Sequence, residues 1–526
     1  MTYFSIFQAL KKIGLLTFAE IGMIIMICHA QDSATLVISR GTTREVISKN
    51  LYGMFSEHLG RDIYGGIWVG RHSTIPNKDG IRLDIVNALK KIHLPVLRWP
   101  GGCFADMYHW MDGIGPVEKR PSTINTYWGN VPESNHFGTH EFMELCHLIG
   151  CQPYIAGNMG SGTVREMSQW VEYLNANIPS TMTALRRKNG RDSAWKVKYW
   201  GVGNESWGCG GVMTPAYYSN EYRRYASFCK DYPGAHLLKI ASGPNGNDTN
   251  WMAVLIRNIP HNLLWGISLH YYTIPTGNWS HKGSATLFGE DQYFSALKNS
   301  LKMQDILHDQ EKVMDTYDPL KRIALVVDEW GVWTDAEPGT NPAFLYQQNS
   351  LRDALAAAST LNIFNNHCDR VRMANLAQTV NVLQSVILTR GKKMILTPTY
   401  YVYKLFRGHQ DATLLPEKLS TPEYTYRGQG IAAVNCSASM DTAGIIHITL
   451  VNLDPGKTIK LNTRFVGLPW SYVKGRILTS TQFNDVNSFR NPGKVRPVAF
   501  NGFNKQGKEL IVRLPPKSVV ALQITR

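Results

Sequence analysis

Two glutamates in this chain have similar surroundings. Glu205 ends the segment Trp200-Gly201-Val202-Gly203-Asn204-Glu205, Glu329 ends Val326-Val327-Asp328-Glu329, and each follows a short apolar run. Two carboxyl groups that flank a glycosidic bond can hydrolyse it, because one protonates the leaving oxygen while the other supports positive charge at the anomeric carbon. The pattern therefore predicts hydrolysis of a glycosidic bond.

Further polar and aromatic residues follow other apolar runs of the chain. They are Glu57, Arg98, Trp99, Asn204, His270, Tyr272, Trp333 and Gln378. Aromatic rings beside carboxylates suit a sugar site, because the C–H faces of a sugar stack on rings while its hydroxyls need hydrogen-bond partners. A single glutamate after a strand is more often an exposed or ion-paired residue. Two of them in aromatic settings make that interpretation weaker.

The apolar runs predict the elements that must position these residues. Eight of them alternate with amphipathic segments, which is typical of repeated β-α units and predicts an α/β fold of the (β/α)8 TIM-barrel type. We predict strands at Tyr52-Phe55, Val96-Trp99, Pro153-Ala156, Val197-Gly201, Leu238-Ala241, Gly266-Leu269, Ala324-Val327 and Val371-Ala374. We predict helices at Ile81-Ile92, Phe137-Leu148, Val164-Leu174, Pro215-Cys229 and Ala343-Phe364. A doubly wound sheet is the alternative, but no glycine-rich dinucleotide loop follows the first run.

The alternation of apolar runs with amphipathic segments ends at about Gly408. Alternating apolar residues in Ile431-Val434 and Ile445-Val451, with turn residues between the runs, predict a C-terminal all-β jelly-roll or sandwich domain. The strand-like segment Ala34-Ile47 is expected to complete that sandwich. The predicted boundaries are residues 31–50 for this strand, 51–408 for the barrel and 409–526 for the sandwich.

The N-terminus has the pattern of an export signal. Lys11 and Lys12 precede the apolar run from Ile21 to Ile27, and Ala30 is a small residue at a plausible cleavage point. Glu20 interrupts the apolar stretch, so we expect no membrane span. Residues 1–30 are accordingly predicted to be a signal peptide, with cleavage near Ala30, and the protein to be secreted or periplasmic. A buried N-terminal helix is the alternative.

Charge and cysteine content narrow the function classes. The chain has a formal net charge of +15, but its basic residues are scattered, so we expect no nucleic-acid partner. The excess positive charge either attracts acidic polysaccharide or is a solvated surface. Its 8 cysteines lack the spacing of a disulfide framework or a zinc site. We expect most to be buried small side chains, Cys209 among them, and we expect no metal and no cofactor.

Several blocks of sequence resemble glycoside hydrolase family 51, whose members are mostly α-L-arabinofuranosidases. The blocks are Gly53-Met54-Phe55-Ser56-Glu57-His58-Leu59-Gly60-Arg61, Leu97-Arg98-Trp99-Pro100-Gly101-Gly102, Tyr108-His109-Trp110, Gly203-Asn204-Glu205, Leu269-His270-Tyr271-Tyr272 and Asp328-Glu329-Trp330. They run in the family's order from about residue 50 to 405. The family also carries a C-terminal β-sandwich.

The resemblance implies a role for each candidate residue. Glu205 would be the acid/base and Glu329 the nucleophile of a retaining, exo-acting enzyme that releases terminal α-L-arabinofuranosyl residues from arabinan, arabinoxylan or related oligosaccharides. Glu57, Arg98, Asn204, His270, Tyr272 and Gln378 would bind the sugar or tune charge, and Trp99 and Trp333 would form walls of its site. Many members have Asn after Pro-Gly-Gly where this chain has Cys103. That difference puts contacts at the far edge of the sugar in doubt. Family members often form homo-oligomers, so such an assembly is compatible with the resemblance.

Two rival functions remain open at the level of sequence. One is another hydrolase of the same clan, an endo-glucanase, an endo-xylanase or a β-xylosidase, which would share the fold and the carboxylate pair. An endo-enzyme needs an open groove, whereas the long stretch from Thr273 to Phe288 favours a closed pocket. The other rival is a carbohydrate-binding protein without catalysis, which both carboxylates argue against.

Overall fold

The computed structural model describes residues 33–42 and 45–526. The predicted segment 1–30 lies outside this part of the chain. Eight parallel strands form a closed barrel, and they are Gly53–Phe55, Val96–Trp99, Gln152–Gly157, Tyr199–Val202, Leu238–Ala241, Gly266–Thr273, Ala324–Val332 and Val371–Ala377. Each strand pairs with the next along the chain, and the eighth pairs with the first, at Leu376 and Met54. All eight overlap the predicted strands.

The helices surround the barrel. They are Leu83–Lys91, Thr139–Ile149, Val164–Asn175, Thr181–Lys188, Pro215–Phe228, Thr249–Asn258, Glu290–Leu301, Met303–Tyr317, Leu351–Asn366 and Pro398–Phe406. Short 3-10 turns cover Lys49–Tyr52, Cys103–Met107, Trp110–Gly113, Val117–Lys119, His261–Leu263, Pro342–Phe344 and Arg407–His409. The helix predicted at Ala343-Phe364 begins eight residues late, because Ser350 and Asp353 form a capping box that starts it at Leu351. The residues before Ser350 form a loop on the catalytic face.

The C-terminal domain is a sandwich of two sheets. One sheet has the order Glu417–Ser420, Ser33–Ser39, Ile459–Val466, Glu509–Leu514 and Phe503–Gln506. The other has the order Thr413–Leu414, Val434–Met440, Ile446–Asn452, Ser518–Thr525, Tyr472–Leu478 and Val498–Phe500. The strand Ser33–Ser39 runs parallel to Ile459–Val466, so the chain begins its described part in the sandwich before it enters the barrel. The domain boundaries given above remain a prediction.

Four two-stranded hairpins lie outside the barrel sheet and the two sheets of the sandwich in the described chain. They pair Asn77–Lys78 with Ile81–Arg82, Thr123–Asn125 with Val131–Glu133, Ile387–Arg390 with Lys393–Leu396 and Glu423–Tyr426 with Gln429–Ala432. The first three belong to loops that follow the first, second and eighth barrel strands. In the part of the chain that the structure describes, no helix is both long enough and apolar enough to cross a membrane.

The barrel interior leads from an apolar layer to a polar one. Val96, Tyr199, Ile240 and Val326 are buried together in one interior cluster with Tyr154. The Tyr154 hydroxyl donates a 2.7 Å hydrogen bond to Asp328, which lies nearer the carboxyl ends of the strands. The apolar filling thus ends at a layer of charged groups, where barrels of this kind carry their sites.

Candidate active site

Local irregularities in two strands direct neighbouring side chains toward the mouth of the barrel. The pairing of the sixth and seventh strands shifts register between Ser268 and His270, and that of the seventh and eighth strands shifts after Val327. A shift of this kind redirects side chains that would otherwise alternate. As a result, the consecutive residues Asp328 and Glu329 both contact groups of the site.

A buried guanidinium joins three of these groups. Arg98 Nη1 donates to Glu329 Oε1 at 2.8 Å and Nη2 donates to Asn204 Oδ1 at 2.6 Å. Its Nε lies 3.5 Å from Asp328 Oδ2. The second oxygen of Glu329 accepts a 2.8 Å hydrogen bond from the Tyr272 hydroxyl. The Glu329 carboxylate is therefore held at both oxygens.

His270 lies between carboxyl groups on both sides of its ring. Its Nδ1 is 2.8 Å from Glu205 Oε1 and 3.5 Å from Glu329 Oε2, and its Nε2 is 2.9 Å from Asp328 Oδ1. Burial alone would lower the pKa of His270, but the negative charges of Glu329 and Asp328 raise it to about 10. The ring is thus an imidazolium at neutral pH and donates from both nitrogens.

The charge of Asp328 and the proton of Glu205 follow from the same arrangement. Burial acts to raise the pKa of Asp328, but the Arg98 and His270 charges outweigh it and hold that pKa below its usual value. Burial raises the pKa of Glu205, an effect that the hydrogen bond from His270 opposes and the charge of Glu329 reinforces. The cations Arg98 and His270 thus hold Asp328 in its charged form, whereas burial favours the protonated form of Glu205.

Glu57 occupies a second buried pocket of the same site. Its Oε1 accepts from the backbone N–H of Phe104 at 2.9 Å and from Trp128 Nε1 at 3.0 Å, and its Oε2 accepts from Gln378 Nε2 at 3.1 Å. Burial and the nearby charge of Glu329 raise the pKa of Glu57 to about 7. A Cβ on Gly102 would lie 2.7 Å from the Glu57 carboxylate, which explains the glycine in the Pro-Gly-Gly motif.

The backbone around Glu205 is strained and anchored. Glu205 has a φ of 39°, which a side chain other than glycine rarely adopts. The preceding N–H, that of Asn204, donates to Asp106 Oδ2 at 3.1 Å, and Asp106 Oδ1 accepts from the N–H groups of Met159 and Gly160. The buried Asp106 therefore fixes the turn that presents Glu205.

A disulfide joins Cys103 and Cys209 beside the Glu205 carboxyl group. Cys209 Sγ lies 3.4 Å and Cys103 Sγ 3.9 Å from Glu205 Oε2. The expectation that Cys209 is a buried small side chain is therefore wrong, since it is half-buried and forms a disulfide that connects the loops after the second and fourth barrel strands. The other cysteines of the described chain are buried, as expected, and they are free: Cys146, Cys151, Cys229, Cys368 and Cys436.

Nine of the ten predicted site residues lie together, and Trp99 does not. Its indole is fully buried, stacks on Phe142 with ring centroids 4.8 Å apart, and donates from Nε1 to His58 Nε2 at 3.0 Å. Because it directly follows Arg98 in the strand, its side chain projects to the opposite face. The prediction that Trp99 forms a wall of the site is wrong.

Trp128 contacts the site where Trp99 does not, and sequence reasoning missed it. Asp106, Tyr154 and Asp328 were also missed as members of the site. Asp328 had a signal in its position directly before Glu329, whereas Trp128 lies in a long loop whose path no pattern in the sequence predicts. Trp333 is half-buried and lies edge-on to Tyr272, with ring centroids 4.9 Å apart.

Comparisons with known proteins agree with this architecture. Two family models match: the alpha-L-arabinofuranosidase 1 domain over residues 88–286 and the alpha-L-arabinofuranosidase C-terminal domain over residues 328–518. An intracellular exo-alpha-L-arabinofuranosidase of Bacteroides ovatus is 50% identical over 496 residues, 94% of this chain and 96% of that protein.

Two solved structures are also similar. The GH51 arabinofuranosidase from Xanthomonas axonopodis pv. citri is 48% identical with a TM-score of 0.92, covering 94% of this chain and 100% of that one. The alpha-L-arabinofuranosidase from Thermotoga maritima, solved as an arabinose complex, is 30% identical with a TM-score of 0.82, covering 93% and 99%. The predicted barrel with a C-terminal all-β domain is confirmed.

The predicted export is contradicted by one of these comparisons. The relative that is 50% identical over 94% of this chain is named an intracellular enzyme, which overturns the expectation of a secreted or periplasmic protein cleaved near Ala30. The basic and apolar pattern on which that expectation depended is interrupted by Glu20 and is short, so it is a weak signal.

The charge of His270 gives a first prediction. In Asp328→Asn the pKa of His270 should fall below about 10, because one of the anions that stabilise the imidazolium is removed. Since the folded pKa is raised, the stability from this ion pair is present below the unfolded pKa of about 6.5. It is lost as the pH rises through about 10. An NMR titration of the ring nitrogens measures this shift.

The matched control is Asp231→Asn, which removes the partner of the exposed His236 and should leave His270 unchanged. A wild-type His270 that titrates near 6.5 would contradict the charge assignment.

The disulfide gives a second prediction. Replacing both Cys103 and Cys209 by serine should lower the pKa of Glu205, because hydroxyls and water would hydrate a carboxyl group now covered by sulfur. Titration of 13C-labelled glutamate carboxyls in the folded protein measures it, and Cys151→Ser, a change at a free cysteine, is the control. An unchanged Glu205 titration in the double variant would refute this role of the disulfide.

Proposed function

We propose that Glu205 is the acid/base and Glu329 the nucleophile of this enzyme. The chain belongs to the α-L-arabinofuranosidases of glycoside hydrolase family 51 and is an exo-acting enzyme of that class. The observation that carries the retaining mechanism is the spacing of the two carboxyl groups. One carboxylate oxygen of Glu205 and one of Glu329 lie within 4.8 Å of each other. Retaining glycosidases hold their carboxyl groups about 5–5.5 Å apart, whereas inverting ones need about 6.5 Å or more to admit a water.

The different environments of the two carboxyl groups support their different roles. Glu329 accepts from Arg98 and Tyr272, both of which stabilise a carboxylate that attacks the anomeric carbon. Glu205 has its pKa raised by burial and so carries the proton that the leaving oxygen requires. Proton transfer from Glu205 and bond formation by Glu329 give a covalent arabinofuranosyl enzyme and the free alcohol.

The second step reverses these roles. Glu205, now ionised, removes a proton from water, which attacks the anomeric carbon and displaces Glu329 with overall retention. His270 remains an imidazolium through both steps. It offsets the charge that appears on Glu205 after proton transfer, because its Nδ1 lies 2.8 Å from the Glu205 oxygen.

The remaining polar groups bind the terminal sugar in this proposal. The buried Oε1 of Gln378 makes no hydrogen bond to any described residue, so it is free to accept from a sugar hydroxyl. Asn204 has its Oδ1 bonded to Arg98, and its Nδ2, 3.8 Å from Cys209 Sγ, is the donor that would bind the 2-hydroxyl. Glu57 accepts from a further hydroxyl, and its position is fixed by Trp128 and Gln378.

The loop after the sixth barrel strand supports exo action. Its Trp279 lies edge-on to Trp333 with ring centroids 5.4 Å apart, and the N–H groups of Lys282 and Gly283 donate to Asp335. This loop therefore packs on the loop after the seventh strand, next to Tyr272, an arrangement that favours a closed pocket over an open groove. Endo-glucanase, endo-xylanase, β-xylosidase and non-catalytic sugar binding are not favoured by the comparisons.

The physiological substrate is proposed at the level of class. Release of terminal α-L-arabinofuranosyl residues from arabinan, arabinoxylan or related oligosaccharides fits a pocket for one terminal sugar. Assembly into a homo-oligomer stays a prediction.

The roles predict unequal effects of two alanine variants. Glu329→Ala should lose turnover on every substrate, because no covalent intermediate can form. Glu205→Ala should give a burst of 2,4-dinitrophenolate from its arabinofuranoside and then a slow steady state, because only the second step needs a base. Azide should restore that steady state and yield an arabinofuranosyl azide of retained configuration.

Stopped-flow absorbance and NMR of the product measure these outcomes. Natural polysaccharide, which has a poor leaving group, should not be rescued. An arabinofuranosyl azide of retained configuration from Glu329→Ala, together with loss of the dinitrophenolate burst in Glu205→Ala, would mean that the two roles are reversed.

A further inference from the structure

Besides the active site, a cavity of about 580 Å³ opens on the catalytic face of the barrel. We propose that it binds a carboxylated sugar, a uronate unit of the polysaccharide whose arabinofuranosyl branch the active site removes. This inference rests on the proposed function for the identity of the substrate. Its lining comes from the loops after the first, seventh and eighth barrel strands and from residues 488–490 of the sandwich.

The cavity is a close neighbour of the active site. Phe344, which lines it, packs against Gly129, since a Cβ placed on Gly129 would lie 3.0 Å from the Phe344 ring. The residue before Gly129 is Trp128, which donates to Glu57. The carbonyl of Leu345, the next residue after Phe344, accepts from the N–H of Leu383 at 2.9 Å and ties two of the lining loops together. A wall of this cavity is therefore in contact with the loop whose Trp128 binds Glu57.

The charge of the lining selects an anion. Arg61, Arg390 and Arg490 contribute three positive charges, against the single carboxyl group of Glu337. None of these arginines makes an ion pair with any residue in the described ranges, in contrast to Arg98, Arg352 and Arg370. Burial raises the pKa of Glu337, which reduces its power to neutralise them.

One arginine is already positioned for a ligand. Arg61 Nη2 donates to the carbonyl oxygen of Thr389 at 2.6 Å and to its hydroxyl at 3.2 Å. Its other guanidinium nitrogens make no hydrogen bond to the described chain. A guanidinium fixed through one nitrogen retains donors for a carboxylate, and such bonds are stronger than those between neutral groups.

The aromatic lining selects a sugar rather than a small inorganic anion. The half-buried rings of Phe344, Tyr346 and Phe489 line the cavity, and the Arg390 guanidinium lies 4.6 Å from the centroid of Phe489. A phosphate or chloride ion has no apolar face to place on these rings. A uronate has both parts, since its C–H faces pack on aromatic rings while its carboxylate pairs with arginine.

Another cavity with a basic lining provides a control site for the charge substitutions. It has a volume of about 590 Å³ and its lining includes Lys404, Arg407, Lys474, Arg476 and Arg496. It lies between the last barrel helix and the sandwich, and its lining includes no loop at the carboxyl ends of the barrel strands. Loss of charge there changes the net charge of the protein without changing the proposed uronate site.

The experiment compares two arabinoxylo-oligosaccharides of equal length that differ in one glucuronosyl branch. Wild-type enzyme should have a KM about tenfold lower for the charged substrate, as expected for one carboxylate–arginine interaction at a partly exposed site. The advantage should shrink as sodium chloride rises, because salt screens exposed charges. In the double variant Arg390→Gln/Arg490→Gln the KM ratio of the two substrates should approach one. The ratio should persist in Arg476→Gln/Arg496→Gln.

Direct binding of free glucuronate, followed by protein NMR with glucose as the neutral control, tests the cavity without turnover. Shifts at Tyr346 and Phe489 that disappear in Arg390→Gln/Arg490→Gln support the proposal. Equal KM values for the two substrates in wild type, with no glucuronate shifts at these residues, overturn it. An equal loss of preference in Arg476→Gln/Arg496→Gln also overturns it, since general charge would then be the cause.

The proposed function has a separate test. Wild-type enzyme that fails to release p-nitrophenol from p-nitrophenyl α-L-arabinofuranoside refutes that function, while the glucuronate titration still decides whether the cavity binds a uronate.

Discussion

The buried charge of Arg98 is the constraint on which the rest of the site depends. A guanidinium out of contact with water must be paired and hydrogen-bonded, or its desolvation costs several kcal/mol. Arg98 satisfies this requirement with Glu329, Asn204 and Asp328. The Cζ atom of its guanidinium lies 4.6 Å from the centroid of the Phe55 ring. The strand that carries Arg98 therefore determines where residues of the fourth and seventh strands must lie. His270 supplies the second cation, and it lies between Asp328 and Glu205.

Much of the fold could be predicted because its signals are local. Each barrel strand is a short apolar run, and all eight predicted runs overlap observed strands, even though the sixth and seventh extend several residues further. These extensions contain Tyr272 and Glu329. Because both residues are polar, a prediction based on apolar runs ends the strands before them. The helix that begins at Leu351 was placed too early, because Ala343 and Leu345 belong to a loop that packs on the catalytic face.

Residues of the candidate site could be predicted only where a local sequence pattern identifies them. Glu205 and Glu329 follow strands that converge at one end of a barrel, so their proximity follows from topology. The position of Trp128 against Glu57 and the link between Cys103 and Cys209 join segments far apart in sequence, and no local pattern specifies such contacts. Trp99 was misassigned because its neighbour Arg98 points into the site, and alternation along a strand then turns the indole into the core.

The most direct test of the account is to trap the covalent intermediate. A 2-deoxy-2-fluoro-α-L-arabinofuranoside with an activated leaving group should form the glycosyl enzyme and hydrolyse it slowly, because fluorine disfavours the positive charge of both transition states. Peptide mass spectrometry should find the fluorinated sugar on the peptide that contains Glu329, and the Glu329→Gln variant should acquire no label. A label on the peptide that contains Glu205, or release of arabinose with inverted configuration and no trapped sugar, would contradict the account.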